Sequence, residues 1–426
     1  MTDDASQDLP PTGLLPAGLI DLLPPEAERE ALLVETLMAA FGAHGYERVK
    51  PPLLEFEDSL LAGSGAAVAE QTFRLMDPVS QRMMGLRADT TPQVARIAAT
   101  RLGLQARPLR LCYAGQVLRV RGTQIAPERQ LPQVGVELIG SEAAEADAEV
   151  AVVAAEALAR AGVAGITLDI SLPTMAGVLL EAAGLTVEAL EARGVRPKPA
   201  RAMILALRQG IDRKDPVAVL TIAERATPLA VDLAALLPEL LRAAGPADAA
   251  LATLVAVALP PAARAIADNA AAVIAAIRAR DSALRITLDP MEFRGFHYHT
   301  GVAFTVFGPG ATGELGRGGR YRSLNDEPAT GMSLYPDAVQ RAAPAPAPRP
   351  RVFAPPGTPE PALVALRAEG FATVRALSPA DAPRALRCTH ILRNGEAVPL
   401  HAAMVEASGE AGATRSGPAP SLQRKD

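Results

Sequence analysis

At ~150 residues per domain, 426 residues suggest two or three domains, and 49% hydrophobic with 21% charged residues leaves room for a sizeable core. Aromatics are only 3% and Trp is absent, so that core must be mostly Leu, Val, Ile and Ala, while a net charge of -5 advertises no general polyanion-binding surface. Two cysteines, Cys112 and Cys388, make neither a disulfide framework nor a zinc knuckle.

The longest apolar stretch, Leu251–Leu259, stops at Pro260-Pro261, far short of the ~20 residues of a membrane span. No charged-then-apolar leader opens the chain, and a soluble cytoplasmic protein is expected. Only four of the 42 basic residues are lysine (Lys50, Lys198, Lys214 and Lys425), so no P-loop exists and any anion site must use arginine.

Residues 1–12, with Asp3, Asp4, Asp8 and two prolines, read as a disordered arm. Pro24-Pro25 opens a helix to about Ala43, with Leu33, Leu37 and Phe41 on one face. Tyr46–Pro52 is a short extended segment whose prolines confine its end to a sheet edge or an interface. Residues 107–140 alternate with period two and predict a β-hairpin. On its return strand Val134, Val136 and Leu138 share one face; Gln133, Gly135 and Glu137 share the other, which Arg119 and Arg121 join from the first strand. Six arginines against the single acid Glu128 give residues 101–129 a local charge of +5 inside an acidic chain.

Glu142–Ala161 reads as a helix whose early acids complement its positive end, and Ile166–Ile170 as a strand. Residues 174–280 are Ala/Leu-rich helix with breaks near Pro197, Pro216, Pro238 and Pro260, an inserted helical module without a catalytic pattern. Leu284–Leu288 and Gly301–Phe307 are predicted strands. The six glycines of Gly308–Tyr321 suit either an anion cradle or a tight hairpin against a ligand or a neighbouring backbone. Ala342–Pro350 is a stiff Pro/Ala linker, residues 351–400 a small β-α-β unit, and residues 401–426 a disordered tail.

His297 and His299 share a strand face, and Cys388 and His390 have the same spacing. Zinc needs three or four converging ligands and only five histidines exist, so no metal and no cofactor are expected. No G-x-S-x-G elbow supports a serine hydrolase. Asp89, Glu137 and Asp289 are candidate carboxylates that read equally as salt-bridged or solvated acids.

Five segments, in order, resemble the class II aminoacyl-tRNA synthetases of the histidyl type. Gly45–Val49 with Pro52–Glu55 resembles motif 1, and Leu86-Arg-Ala-Asp-Thr-Thr-Pro-Gln93 the segment that lines the amino-acid pocket. Arg119 with Gln133–Glu137 resembles motif 2. Arg294-Gly-Phe-His-Tyr-His-Thr-Gly301 resembles the histidine-specific R-G-L-D-Y-Y-T-G, and Gly318-Gly-Arg-Tyr321 its companion. The resemblance spans about residues 13–340. It implies an α+β fold: a six-stranded antiparallel sheet flanked by helices, interrupted by the helical insertion and dimerised through motif 1. It also implies a histidine pocket lined by Asp89, Thr91, Arg119, Gln133, Glu137, Arg294, Tyr298 and Tyr321. In that pocket Arg294 would take the carboxylate of the zwitterion and Glu137 its ammonium.

The departures from the synthetase pattern carry the functional reading. Arg121 stands where a synthetase has the glutamate that reads the adenine amino group. Pro336 stands where motif 3 has its triphosphate-binding arginine, and proline offers neither charge nor donor. Losing one charge-assisted contact costs ~1.5–3 kcal/mol, so ATP activation is not expected. His297 and His299 replace an aspartate and a tyrosine, and residues 351–400 are too few for a full anticodon module. A synthetase-like core with these losses resembles the ATP phosphoribosyltransferase regulatory subunit family. That resemblance implies a non-catalytic partner of the short-form ATP phosphoribosyltransferase in the first step of histidine biosynthesis, with L-histidine as effector. A divergent histidyl-tRNA synthetase and a tRNA-binding regulator are the alternatives; the acidic balance and short C-terminus disfavour tRNA.

Overall fold

The spacing of Leu33, Leu37 and Phe41 buries one side of α1 (Glu26–Ala43), as the periodicity predicts. This structure, a computed structural model, describes residues 13–122, 127–224, 232–292, 298–311 and 313–401, in two compact units, Met1–Ala345 and Pro346–Asp426. After α1 the chain enters β1 (Glu47–Arg48), β2 (Leu54–Phe56), the short α2 (Glu57–Leu60), β3 (Phe73–Met76), β4 (Met83–Leu86) and α3 (Thr91–Thr100). The predicted hairpin is β5 (Leu109–Leu118) with β6 (Gln130–Ile139), followed by α4 (Ala144–Arg160) and β7 (Thr167–Ser171).

The Ala/Leu-rich stretch then forms α5 (Met175–Ala182), α6 (Val187–Ala192), α7 (Pro197–Asp212), α8 (Pro216–Glu224), α9 (Leu233–Arg242), β8 (Gly245–Pro246), α10 (Ala247–Ala256) and α11 (Pro261–Arg280). The unit closes with β9 (Arg285–Asp289), β10 (His299–Phe307), β11 (Gly316–Arg322), β12 (Pro328–Leu334) and α12 (Pro336–Ala342). Prolines open α7, α8 and α11, but Pro238 lies inside α9 and makes no break there. Asp232 accepts from Ala235 N and starts this helix, and Pro238 then removes one later rung of its ladder.

The main sheet has nine strands in the order β1-β5-β6-β12-β11-β10-β7-β9-β8. The six from β5 to β7 are antiparallel, as the resemblance implies. The sheet is nonetheless mixed, because β1 runs parallel to β5 and β9 parallel to β7. Parallel pairing needs a long crossover, and the α5–α11 stretch supplies one between β7 and β9. Within that stretch β8 pairs with β9 at the sheet edge, so the region is not helix alone. A separate sheet, β2-β4-β3, is not anticipated by the sequence.

Alternation gives the main sheet two chemically different faces. On one, Val134, Val136 and Leu138 pack with Leu37 and Phe41 of α1 and Leu158 of α4. Each such side chain, fully buried, is worth about 1.5–3 kcal/mol. On the other, Leu111, Tyr113 and Tyr321 pack with Val94 and Ala98 of α3, beside a polar group. Arg320 ties the first face to the start of α4: it donates to Asp147 Oδ2 through Nε (3.0 Å) and Nη2 (2.8 Å), and to the Ser141 and Ala143 carbonyls.

Glycines make room on the polar face. Gly135 lies opposite Tyr113 and Gly331 opposite Glu137. A Cβ at either position would collide with the Tyr113 hydroxyl or the Glu137 carboxylate. On β11 a Cβ at Gly318 would run into the Gly331 carbonyl. Close approach of a neighbouring backbone, one of the readings of the glycine-dense run, holds at Gly318.

The second unit comprises β13 (Arg351–Ala354), α13 (Glu360–Ala368), β14 (Ala372–Arg375), β15 (His390–Arg393) and β16 (Glu396–Pro399). Its order, β14-β13-β15-β16, extends the expected β-α-β by a hairpin. Among the described residues no helix is long and apolar enough to cross a membrane.

Gly318→Ala should destabilise the protein by about 1–3 kcal/mol, because the obstacle is a fixed carbonyl in the adjoining strand. Gly313, with open space at its Cβ position, should tolerate Ala within about 0.5 kcal/mol. Denaturant titration of both variants checks this, and equal midpoints would contradict it.

Candidate functional site

The polar group is assembled from β6, the start of α3, and β11 with β12. Glu137, on β6, is only 1% exposed. Its Oε1 accepts from Thr91 Oγ1 at 2.8 Å and its Oε2 from the Tyr321 hydroxyl at 2.8 Å. Asp89, also buried, accepts at one oxygen from Thr91 N (3.0 Å) and from Gln133 Nε2 (2.9 Å). Gln133 in turn accepts from Thr90 N at 2.9 Å and donates to Ser333 Oγ at 2.9 Å, and Ser333 bonds the Tyr113 hydroxyl at 2.8 Å. Tyr298 meets Tyr321 edge-on, ring centroids 5.8 Å apart.

Two buried carboxylates therefore share one site, and among the described residues neither makes an ion pair. Burial pushes the Glu137 carboxyl from the usual 4.5 up to about 8, with Asp89 adding to the rise and the Tyr321 and Thr91 hydrogen bonds opposing it. Arg317 lines the same cavity, but Nε bonds Glu314 at 2.9 Å. Burial, and secondarily Arg317, lowers His299 to about 4 and keeps its imidazole neutral. The cavity between these groups measures about 20 Å³, room for a single water. Any larger occupant must displace its walls.

Five of the eight predicted residues line this cavity: Asp89, Thr91, Glu137, Tyr298 and Tyr321. Gln133 stands behind it, holding Asp89 and Ser333. Arg119 does not join them; just past the end of β5 it lines a different cavity of about 430 Å³ with Gln71 and Arg121. Its Nε is buried without a hydrogen-bond partner among the described residues. Arg294 and His297 lie outside the described residues. Ser333 and Tyr113 belong to the network and were not foreseen, although Ser333 follows Gly331 by two residues on the same face of β12. Among the described residues the cavity lining carries two carboxyl groups, Asp89 and Glu137, and one cation, Arg317, which is bonded to Glu314.

Because the folded-state pKa of Glu137 is raised, its neutral form favours the folded chain fully below about 4.5, and that contribution is lost as pH rises through about 8. Melting temperature should therefore fall across this window in the unliganded protein. Glu137→Gln, always neutral, should flatten that slope; an identical slope in both proteins would contradict the assignment.

Comparison with known proteins places the chain in a family. The histidyl-tRNA synthetase family profile matches residues 18–339. An ATP phosphoribosyltransferase regulatory subunit from Paramagnetospirillum magneticum is 52% identical over 384 residues, covering 90% of this chain and 94% of its own. The crystal structure of an ATP phosphoribosyltransferase regulatory subunit/histidyl-tRNA synthetase from Bacillus halodurans C has a TM-score of 0.71 at 23% identity, covering 89% of this chain and 96% of that one. A chain of the ATP phosphoribosyl transferase (HisG:HisZ) complex from Thermotoga maritima has a TM-score of 0.53 at 14% identity, covering 72% of this chain and 97% of its own. The two structural likenesses show the fold, and the sequence relative the closer kinship. On a histidyl-tRNA synthetase fold, the chain belongs to the ATP phosphoribosyltransferase regulatory subunit family.

Proposed function

We propose that this chain is a non-catalytic, cytoplasmic regulatory subunit that assembles with the short-form ATP phosphoribosyltransferase, pairs with a second copy through motif 1, and reports L-histidine. The observation that supports the effector reading is the pair of buried carboxyl groups, Asp89 and Glu137, neither of which makes an ion pair among the described residues. A zwitterion's ammonium supplies the missing charge, and Arg294, by the resemblance, its counterpart for the carboxylate. Two substitutions support the absence of ATP chemistry. Pro336 opens α12 as a buried residue without charge, and Arg121 puts a second cation beside Arg119 where an acceptor would read adenine. For the self-pairing, β1 lies at the sheet edge and Leu32 on α1 is 61% exposed.

At pH 7 Glu137, with its pKa near 8, holds a proton, and an arriving ammonium favours the ionised form. Calorimetry with L-histidine in buffers of different ionisation enthalpy should show release of up to about one proton per site. Glu137→Gln should abolish that release and weaken binding about tenfold or more. No heat at millimolar L-histidine, alone and with the catalytic partner, would overturn the pocket. Histidine-dependent ATP–pyrophosphate exchange by the purified chain would overturn the non-catalytic reading.

A further inference from the structure

The helical insertion contains a cavity that the proposed effector site does not use. It lies among α5, α6 and α7 and measures about 910 Å³, at the upper end of the ~300–1,000 Å³ typical of small-ligand sites. Ala176, Leu180, Leu185 and Ile204 give it apolar surface. Glu181 and Glu188 bring two carboxylates to its lining, which Arg208 and Asp212 also share. Glu181 and Glu188 make no ion pair among the described residues. His299 lines both this cleft and the Asp89–Glu137 cavity, and its imidazole makes no hydrogen bond among the described residues.

The cleft is also held in shape. Lys214, just past the end of α7 and in the left-handed region at φ 57°, donates to both carboxylate oxygens of Asp289 at 2.6 and 2.7 Å. One wall helix is thereby fixed to the end of β9, so less ordering remains to be done on binding.

We infer that this cleft is a second binding site, independent of the histidine reading, for an apolar group that ends in an amine or guanidinium. The apolar lining takes the body of such a ligand, and Glu181 with Glu188 takes its charged head. That chemistry is common to a free small cation and to a basic side chain on a partner protein's segment.

Titration of the full chain with two probes tests this and separates the sources. One probe is benzoyl-L-arginine amide and the other the peptide acetyl-Leu-Arg-Leu-Arg-amide. At least one should bind, and Glu181→Gln combined with Glu188→Gln should weaken it about tenfold or more. Glu137→Gln should leave its affinity unchanged. Both replaced carboxylates are exposed, so circular dichroism and melting should match the parent. Tighter binding of the small probe identifies a free cation, and tighter binding of the peptide a protein segment. Failure of both probes at millimolar concentration, undiminished binding by the double variant, or one-for-one displacement by L-histidine would each overturn the inference.

Discussion

A carboxylate buried at the middle of a sheet, with no ion pair among the described residues, is costly, and much of the architecture answers to that cost. Glu137 is 1% exposed, and an isolated buried charge is so unfavourable that the group takes up a proton instead. The protein supplies what neutral groups can: a hydroxyl from Tyr321 on β11 and another from Thr91 at the start of α3. It supplies space by placing Gly331 directly opposite. In the proposed reading, such partial satisfaction leaves a site that gains when an ammonium arrives. The regulatory reading depends on that imbalance.

In the proposed reading, the same imbalance is what would let the pocket serve as a sensor. With Pro336 and Arg121 in place of the ATP-handling groups, binding energy is not spent on a reaction. It is available to shift an equilibrium, and only differential affinity for two states can do so. The cavity has room for a single water, so an amino acid enters only with displacement of its walls. On this account a ligand that opens the pocket and a partner that senses the opening are coupled through the same displacement.

Much of this arrangement was legible in the residues, because alternation and helical spacing are local. Period two correctly put Gln133 and Glu137 on one face of β6, and the four-residue spacing correctly buried Leu37 and Phe41. Distance along a strand was less legible. Arg119 shares the face of Gln133 by alternation, but Gln133 pairs with Gly115, four residues back, and at ~3.3 Å per residue the arginine falls about 13 Å away. The sheet β2-β4-β3 was missed because strands of three or four residues carry too little periodicity to register. Ser333 and Tyr113 entered the network through pairings between distant segments, which no local pattern encodes.

The central claim is that Glu137 is a proton-holding carboxyl waiting for a cation. The most direct measurement is a carboxyl-carbon NMR titration of the Glu137 side chain, with Glu137→Gln to assign the resonance, recorded with and without saturating L-histidine. The account predicts a midpoint of about 8 in the free protein and a marked fall when the ligand binds. A midpoint at the usual carboxylate value of 4.5, or one that histidine leaves in place, would contradict it.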